Sequence, residues 1–157
     1  MRLQLALNVD NLDDAIDFYT KMFDTPPAKV RPGYANFAVA NPPLKLVLFE
    51  GEGPSGSINH LGVETETSAE VLAAEARLSA SGLDTTGVDD TQCCYAEKTE
   101  TWVHAPDGNK WEWYVKTGDS EQLQNVVVSG TDAGGGGCCI AAPSTADTTT
   151  SETSCCA

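Results

Sequence analysis

Residues 3–9, LQLALNV, run into residues 11–23, NLDDAIDFYTKMF, and this pair decides the fold because it recurs later as NHLGVE (59–64) and TSAEVLAAEARLSASG (67–82). In the first copy Leu12, Ile16, Tyr19 and Phe23 fall at helical spacing, with acids in the first turn where the helix dipole favours them. In the second, Thr67 and Glu70 fit a capping box and Gly82 is placed to cap the C-terminus. After the first helix come YANFAVA (34–40), the turn NPP and LKLVLFE (44–50). After the second come TQCCYAE (91–97), TETWVHA (99–105), the turn PDG and NKWEWYV (109–115). Each half therefore reads strand, helix, then three strands. The repeat predicts an α+β fold of two βαβββ modules, about 2–50 and 58–117, whose curved mixed sheets pair around a shared cleft.

Beyond Thr117 the composition changes. All nine basic residues and all but five of the 23 acids lie before Gly118. The remainder, 118–157, is mostly Gly, Ser, Thr and acid, and only LQNVVV (123–128) could pack. Such a segment buries too little apolar surface to offset chain entropy, so it reads as a flexible tail behind a domain spanning 1–117. A net charge of −14 repels nucleic acid and anionic membrane surfaces, which excludes both as partners. No stretch approaches the ~20 apolar residues of a membrane helix and the N-terminus lacks signal-peptide architecture, so the expected location is the cytoplasm.

The six cysteines stand in adjacent pairs: Cys93-Cys94, Cys138-Cys139 and Cys155-Cys156. A reducing cytoplasm disfavours a disulfide framework, and a bond between neighbours would constrain almost nothing of the unfolded chain. The pairs ask for a soft, thiophilic ligand. Consecutive strand residues face opposite sides, so convergence of Cys93 and Cys94 on one atom requires a bulge, a strand end or a mobile loop.

Strand alternation also sorts three polar candidates. Leu3, Leu5 and Leu7 share one face of the first strand and leave Gln4, Ala6 and Asn8 on the other. Leu61 and Val63 leave His60, Gly62 and Glu64; Trp111, Trp113 and Val115 leave Glu112 with Tyr114. Imidazole, carboxylate and a neutral oxygen donor suit a divalent first-row metal with open positions. Each residue also has an ordinary reading, as a polar strand residue or one facing solvent, and periodicity does not choose between them. His104, before the PDG turn, lacks the repeat-symmetric placement and reads as structural.

The two-module pattern resembles the vicinal oxygen chelate superfamily, which includes extradiol dioxygenases, glyoxalase I and the fosfomycin and bleomycin resistance proteins. Residues 3–23, 29–50, NHLGVE, TQCCYA and PDGNKWEWY (106–114) look more specifically like the carbon-arsenic lyases, organoarsenical demethylases often called cadmium-induced proteins. That resemblance implies Fe(II)- and O2-dependent cleavage of the carbon-arsenic bond of trivalent organoarsenicals, such as methylarsenite and reduced aromatic arsenicals, by a monomer or homodimer. It places the catalytic metal on Gln4, His60 and Glu112 and the substrate thiols on Cys93 and Cys94. Much of the wider superfamily has His where this chain has Gln4.

Trivalent arsenic binds thiolates, so two adjacent thiols can replace its two exchangeable oxygen ligands and leave the carbon substituent attached. Cys138, Cys139, Cys155 and Cys156 are candidate auxiliary arsenic ligands that a flexible tail would bring across a small domain. Two other readings stand beside the lyase. One is thiol-based sequestration of cadmium or arsenite without chemistry; the other is a vicinal oxygen chelate enzyme acting on a catechol or thiol conjugate.

Overall fold

A computed structural model describes residues 1–129. Their elements run β1 (Arg2–Val9), α1 (Leu12–Phe23), β2 (Lys29–Arg31), β3 (Tyr34–Val39), β4 (Leu44–Glu50), β5 (Ile58–Glu64), α2 (Ser68–Ala80), β6 (Asp89–Cys93), β7 (Ala96–His104), β8 (Lys110–Asp119) and β9 (Val126–Ser129). This is the expected α+β pair of βαβββ modules. The strands form one curled mixed sheet in the order β2-β3-β4-β1-β5-β8-β7-β6-β9. Within each module the first strand pairs in parallel with the last, β1 with β4 and β5 with β8. The modules join through antiparallel pairing of β1 with β5 inside one chain.

The helices form where the sequence signals them. Asn11 caps α1 by accepting from the Asp14 N–H at 3.0 Å. Leu12, Ile16, Tyr19 and Phe23 then pack on Ala35, Phe37, Val39, Leu46 and Leu48 of the sheet. Burying each large apolar side chain contributes roughly 1.5–3 kcal/mol. In α2 both halves of the Thr67–Glu70 capping box are made. Gly82 follows the helix at φ +79°, a left-handed position that glycine adopts without Cβ strain.

Helices on the outer face leave the inner face to line the curl. Along β1 the buried residues are Gln4, Ala6 and Asn8, while the leucines between them turn outward. On β4 Leu46 and Leu48 meet α1, and Lys45, Val47 and Phe49 face inward. A buried polar face is stable only when its groups satisfy one another, and this requirement builds the site.

Two details differ from the sequence reading. Residues 91–97 are not one strand: β6 ends at Cys93, Cys94 and Tyr95 make a two-residue turn, and β7 starts at Ala96. The ordered structure also passes Thr117, because β8 continues to Asp119 and β9 adds to the free edge of β6. Val126 and Val127, within the one apolar run of the supposed tail, supply that pairing. The cysteines at 138, 139, 155 and 156 lie outside the described residues. Among the described residues no helix is long and apolar enough to cross a membrane.

Candidate active site

Three adjacent strands bring Gln4, His60 and Glu112 together. Cross-strand register sets Gln4 opposite Gly62 and Gly62 beside Glu112, with His60 two pairs along, on the same face, opposite Ala6. Gly62 provides the space: a Cβ there would lie 3.3 Å from Cβ and Nε2 of Gln4 and from the Glu112 carbonyl. The Gln4 Nε2 is 2.9 Å from Nε2 of His60 and donates to Oε2 of Glu112 at 3.0 Å. His60 Nε2 and Glu112 Oε2 are 3.6 Å apart. All three side chains are buried.

A second set of contacts orients this trio. His60 Nδ1 meets Asn59 Oδ1 at 2.8 Å, Asn59 Nδ2 donates to Asn8 Oδ1 at 3.0 Å, and Asn8 Nδ2 donates to Ser57 Oγ at 2.8 Å. An Nδ1–H directed at an amide oxygen leaves the lone pair on Nε2, facing the other two residues. Burial first, then the Lys98 charge, pulls the His60 pKa down to about 3, so the ring is neutral. Tyr114 donates its hydroxyl to Gln4 Oε1 at 2.6 Å and accepts from Lys45 Nζ at 2.9 Å.

Burial alone would raise the Glu112 pKa, but Lys98 Nζ lies 2.6 Å from Oε1 and holds the carboxylate below its ordinary range. Glu100 shares the same ammonium at 3.7 Å and receives Trp102 Nε1 and Asn125 Nδ2, each at 3.1 Å. One buried cation cannot neutralise two carboxylates. Burial and repulsion from Glu112 accordingly push Glu100 up to about 7.

The donor set fits a metal ion. Among the described residues no three His, Cys, Asp or Glu side chains converge, so the set reaches three only through the Gln4 amide. Half a turn of that amide presents its oxygen to the other two donors and its NH2 to the Tyr114 oxygen. Atoms 2.9–3.6 Å apart have the separation expected of neighbours that each sit about 2.0–2.2 Å from one ion.

The cysteine pair occupies a hairpin turn. Cys93 pairs with Ala96, and Cys94 (φ 56°) and Tyr95 (φ 59°) both lie in the left-handed region, the sign pattern of a type I′ turn. Such turns ordinarily use Asn-Gly, and a non-glycine left-handed residue costs about 1–2 kcal/mol. The strained turn brings the two sulfurs 3.0 Å apart, which a regular strand could not do. Contact with the Cys93 sulfur lowers the Cys94 pKa against the opposing effect of burial, with Lys98 assisting. The same contact and burial push the Cys93 thiol up.

Two adjoining cavities share His60, Cys94 and Lys98 in their walls. The smaller, about 170 Å³, also reaches Gln4, Lys45 and Tyr34. The larger, about 500 Å³, shares Phe49 as well and adds Cys93, Trp102, Leu123 and Asn125. His104 is exposed and lines this larger cavity, away from the Gln4–Glu112 contacts. Sequence reasoning missed Lys45, Lys98 and Glu100. Strand alternation places Lys45 with Val47 on β4 and Lys98 with Glu100 on β7, but alternation alone does not tell a buried charge from a solvated one.

Residues 3–113 match the model of the Glyoxalase/Bleomycin resistance protein/Dioxygenase superfamily. A trivalent organoarsenical cleaving enzyme of Thermomonospora curvata is 56% identical over 123 residues, covering 78% of this chain and 82% of that protein. The cadmium-induced protein CadI of Mycobacterium tuberculosis is 53% identical over 120 residues, 76% of this chain and 79% of that one. Among solved structures, methylmalonyl-CoA epimerase from M. tuberculosis aligns with a TM-score of 0.52 at 17% identity, over 71% of this chain and 85% of the epimerase. That last likeness concerns the fold alone.

Proposed function

The chain belongs to the Glyoxalase/Bleomycin resistance protein/Dioxygenase superfamily, and we propose that within it this protein is an Fe(II)- and O2-dependent carbon-arsenic lyase. Its substrates on this reading are trivalent organoarsenicals such as methylarsenite and reduced aromatic arsenicals, and it releases inorganic arsenite. The observation that carries the proposal is the pair of sulfurs 3.0 Å apart in a cavity that His60 also lines. The named activity of the T. curvata relative supports the same reading.

The chain's own residues divide the work. Cys93 and Cys94 exchange their protons for arsenic as its two hydroxyl groups leave as water, and no electrons move in that step. The dithiolate fixes arsenic at the turn and leaves the carbon substituent in the cavity beside Phe49 and Trp102. Gln4, neutral His60 and Glu112 would hold Fe(II), which when bound would activate dioxygen and relay electrons to it from the substrate carbon. The Lys98 ammonium compensates the carboxylate of Glu112, and buried side chains keep bulk water from the trio. For methylarsenite, substrate plus dioxygen balances as arsenite plus formaldehyde.

The test is arsenic speciation with purified, Fe(II)-loaded protein and methylarsenite, first without oxygen and then in air. Arsenite release that begins on admitting air is expected. Equal release under both conditions would remove the oxygen-dependent scheme, and retention of intact methylarsenite under both would favour sequestration.

A further inference from the structure

The β6–β7 hairpin does not by itself hold Cys94 and Tyr95 left-handed. Strained backbone persists only where neighbouring structure over-determines it. Two regions do so here. From the first module, Lys29 Nζ donates to the Tyr95 carbonyl at 2.7 Å, and the rings of Tyr34 and Tyr95 meet edge to face at 5.3 Å. The other region is residues 120–125, beyond the end of the superfamily match at residue 113. There the Cys94 N–H donates to the Leu123 carbonyl at 2.9 Å, the Tyr95 N–H to the Gln122 carbonyl at 2.8 Å, and the Ser120 N–H to the Tyr95 carbonyl at 3.3 Å. The Leu123 side chain packs with Cys94 against the cluster of Ala6, Tyr34, Val47, Phe49 and Tyr95. Its carbonyl also lies 3.7 Å from Cys93 Sγ.

We propose that residues 120–125 are a positioning strap for arsenic capture, seated by the Leu123 side chain, which holds the Cys94-Tyr95 turn so that both thiols face one arsenic atom. This rests on the dithiolate reading above. Capture forms two As–S bonds, breaks two As–O bonds and expels two waters. The second bond forms readily only if its sulfur is already in place, so a released turn weakens two-point binding. Attack on a monothiol reagent needs no such convergence, and the two reactions therefore separate positioning from general integrity.

The experiment uses the full chain with Cys138, Cys139, Cys155 and Cys156 changed to Ser, which leaves Cys93 and Cys94 as its thiols. Phenylarsine oxide affinity is measured by competition with a free dithiol, and iodoacetamide gives the rate of single-thiol alkylation. Losing the strap's hydrogen bonds to the turn predicts that Leu123→Gly binds phenylarsine oxide about tenfold more weakly with no fall in alkylation rate. Leu123→Met, which keeps the packing, retains the affinity. Unchanged affinity in Leu123→Gly overturns the proposal, as does a parallel fall in both readouts, the signature of a damaged site. A parent whose affinity survives Cys93→Ser with Cys94→Ser removes the dithiolate reading itself, an outcome distinct from failure of the strap.

Discussion

Lys98 Nζ and Glu112 Oε1 stand 2.6 Å apart with both side chains buried. The contact links the β7 strand that follows the cysteine turn to the β8 strand that carries the acidic member of the Gln4–His60–Glu112 trio. It leaves Oε2 of the same carboxylate directed at Gln4 and His60.

Removing the cation should therefore cost both stability and site chemistry. Lys98→Met leaves Glu112 charged and unpaired in the interior, and breaking a buried pair from one side typically costs about 3–5 kcal/mol. The expected result is a fall of that order in the urea-derived unfolding free energy, with loss of arsenite release. Glu112→Gln with Lys98→Met, which removes both charges, should recover much of the stability and none of the activity.

Glu100 gives a pH dependence of definite sign. Its folded pKa of about 7 exceeds an unfolded value of about 4.3, so the native state binds more protons between those limits. The stability Glu100 contributes is full below about pH 4.3 and is lost as pH rises through 7, by up to about 4 kcal/mol. Glu100→Gln should flatten that slope. Urea unfolding at pH 5 and pH 8 reads it directly, and an identical pH 5 to pH 8 difference in parent and variant would count against the buried-proton account.

Gly62 is a steric prediction. An added methyl would press on Gln4 and on the Glu112 carbonyl at 3.3 Å, so Gly62→Ala should displace the amide and cost about 1–3 kcal/mol. Fe(II) or Co(II) titration should show weaker binding.

Much of this was legible in the sequence, for physical reasons that differ by residue. Gln4, His60 and Glu112 could be singled out because a strand's period of two separates a polar inward set from Leu or Trp neighbours on the outward side. Lys45 and Lys98 could not. A lysine in a strand reads as solvated unless its partner is known, and Tyr114 and Glu112 reach them only through the fold. The turn at Cys94-Tyr95 carries no Gly or Asn, so local propensity read residues 91–97 as one strand, and only the need for two adjacent sulfurs to meet one atom pointed to the strand end found at Cys93. The packing role of Leu123 was half visible in its apolar run, but the cluster that receives it comes from β1, β3, β4 and the Cys94-Tyr95 turn.

The thiol pair yields the last prediction. Two-point capture exceeds one-point binding through effective concentration, commonly by 10²–10⁴, so Cys93→Ser or Cys94→Ser should each reduce methylarsenite turnover by about a hundredfold or more. The two positions then differ in a second measurement. Cys94 owes its lowered pKa first to its contact with the Cys93 sulfur, and Cys93→Ala removes that contact. With the four cysteines beyond residue 130 replaced by Ser, iodoacetamide should alkylate Cys94 more slowly at pH 7 in Cys93→Ala than in its parent, because less thiolate is present. The deficit should close as pH rises and the thiol ionises without help. Near-normal turnover by either serine variant would mean that a single sulfur suffices, and a rate at pH 7 unchanged by Cys93→Ala would mean that Cys94 ionises independently of its neighbour.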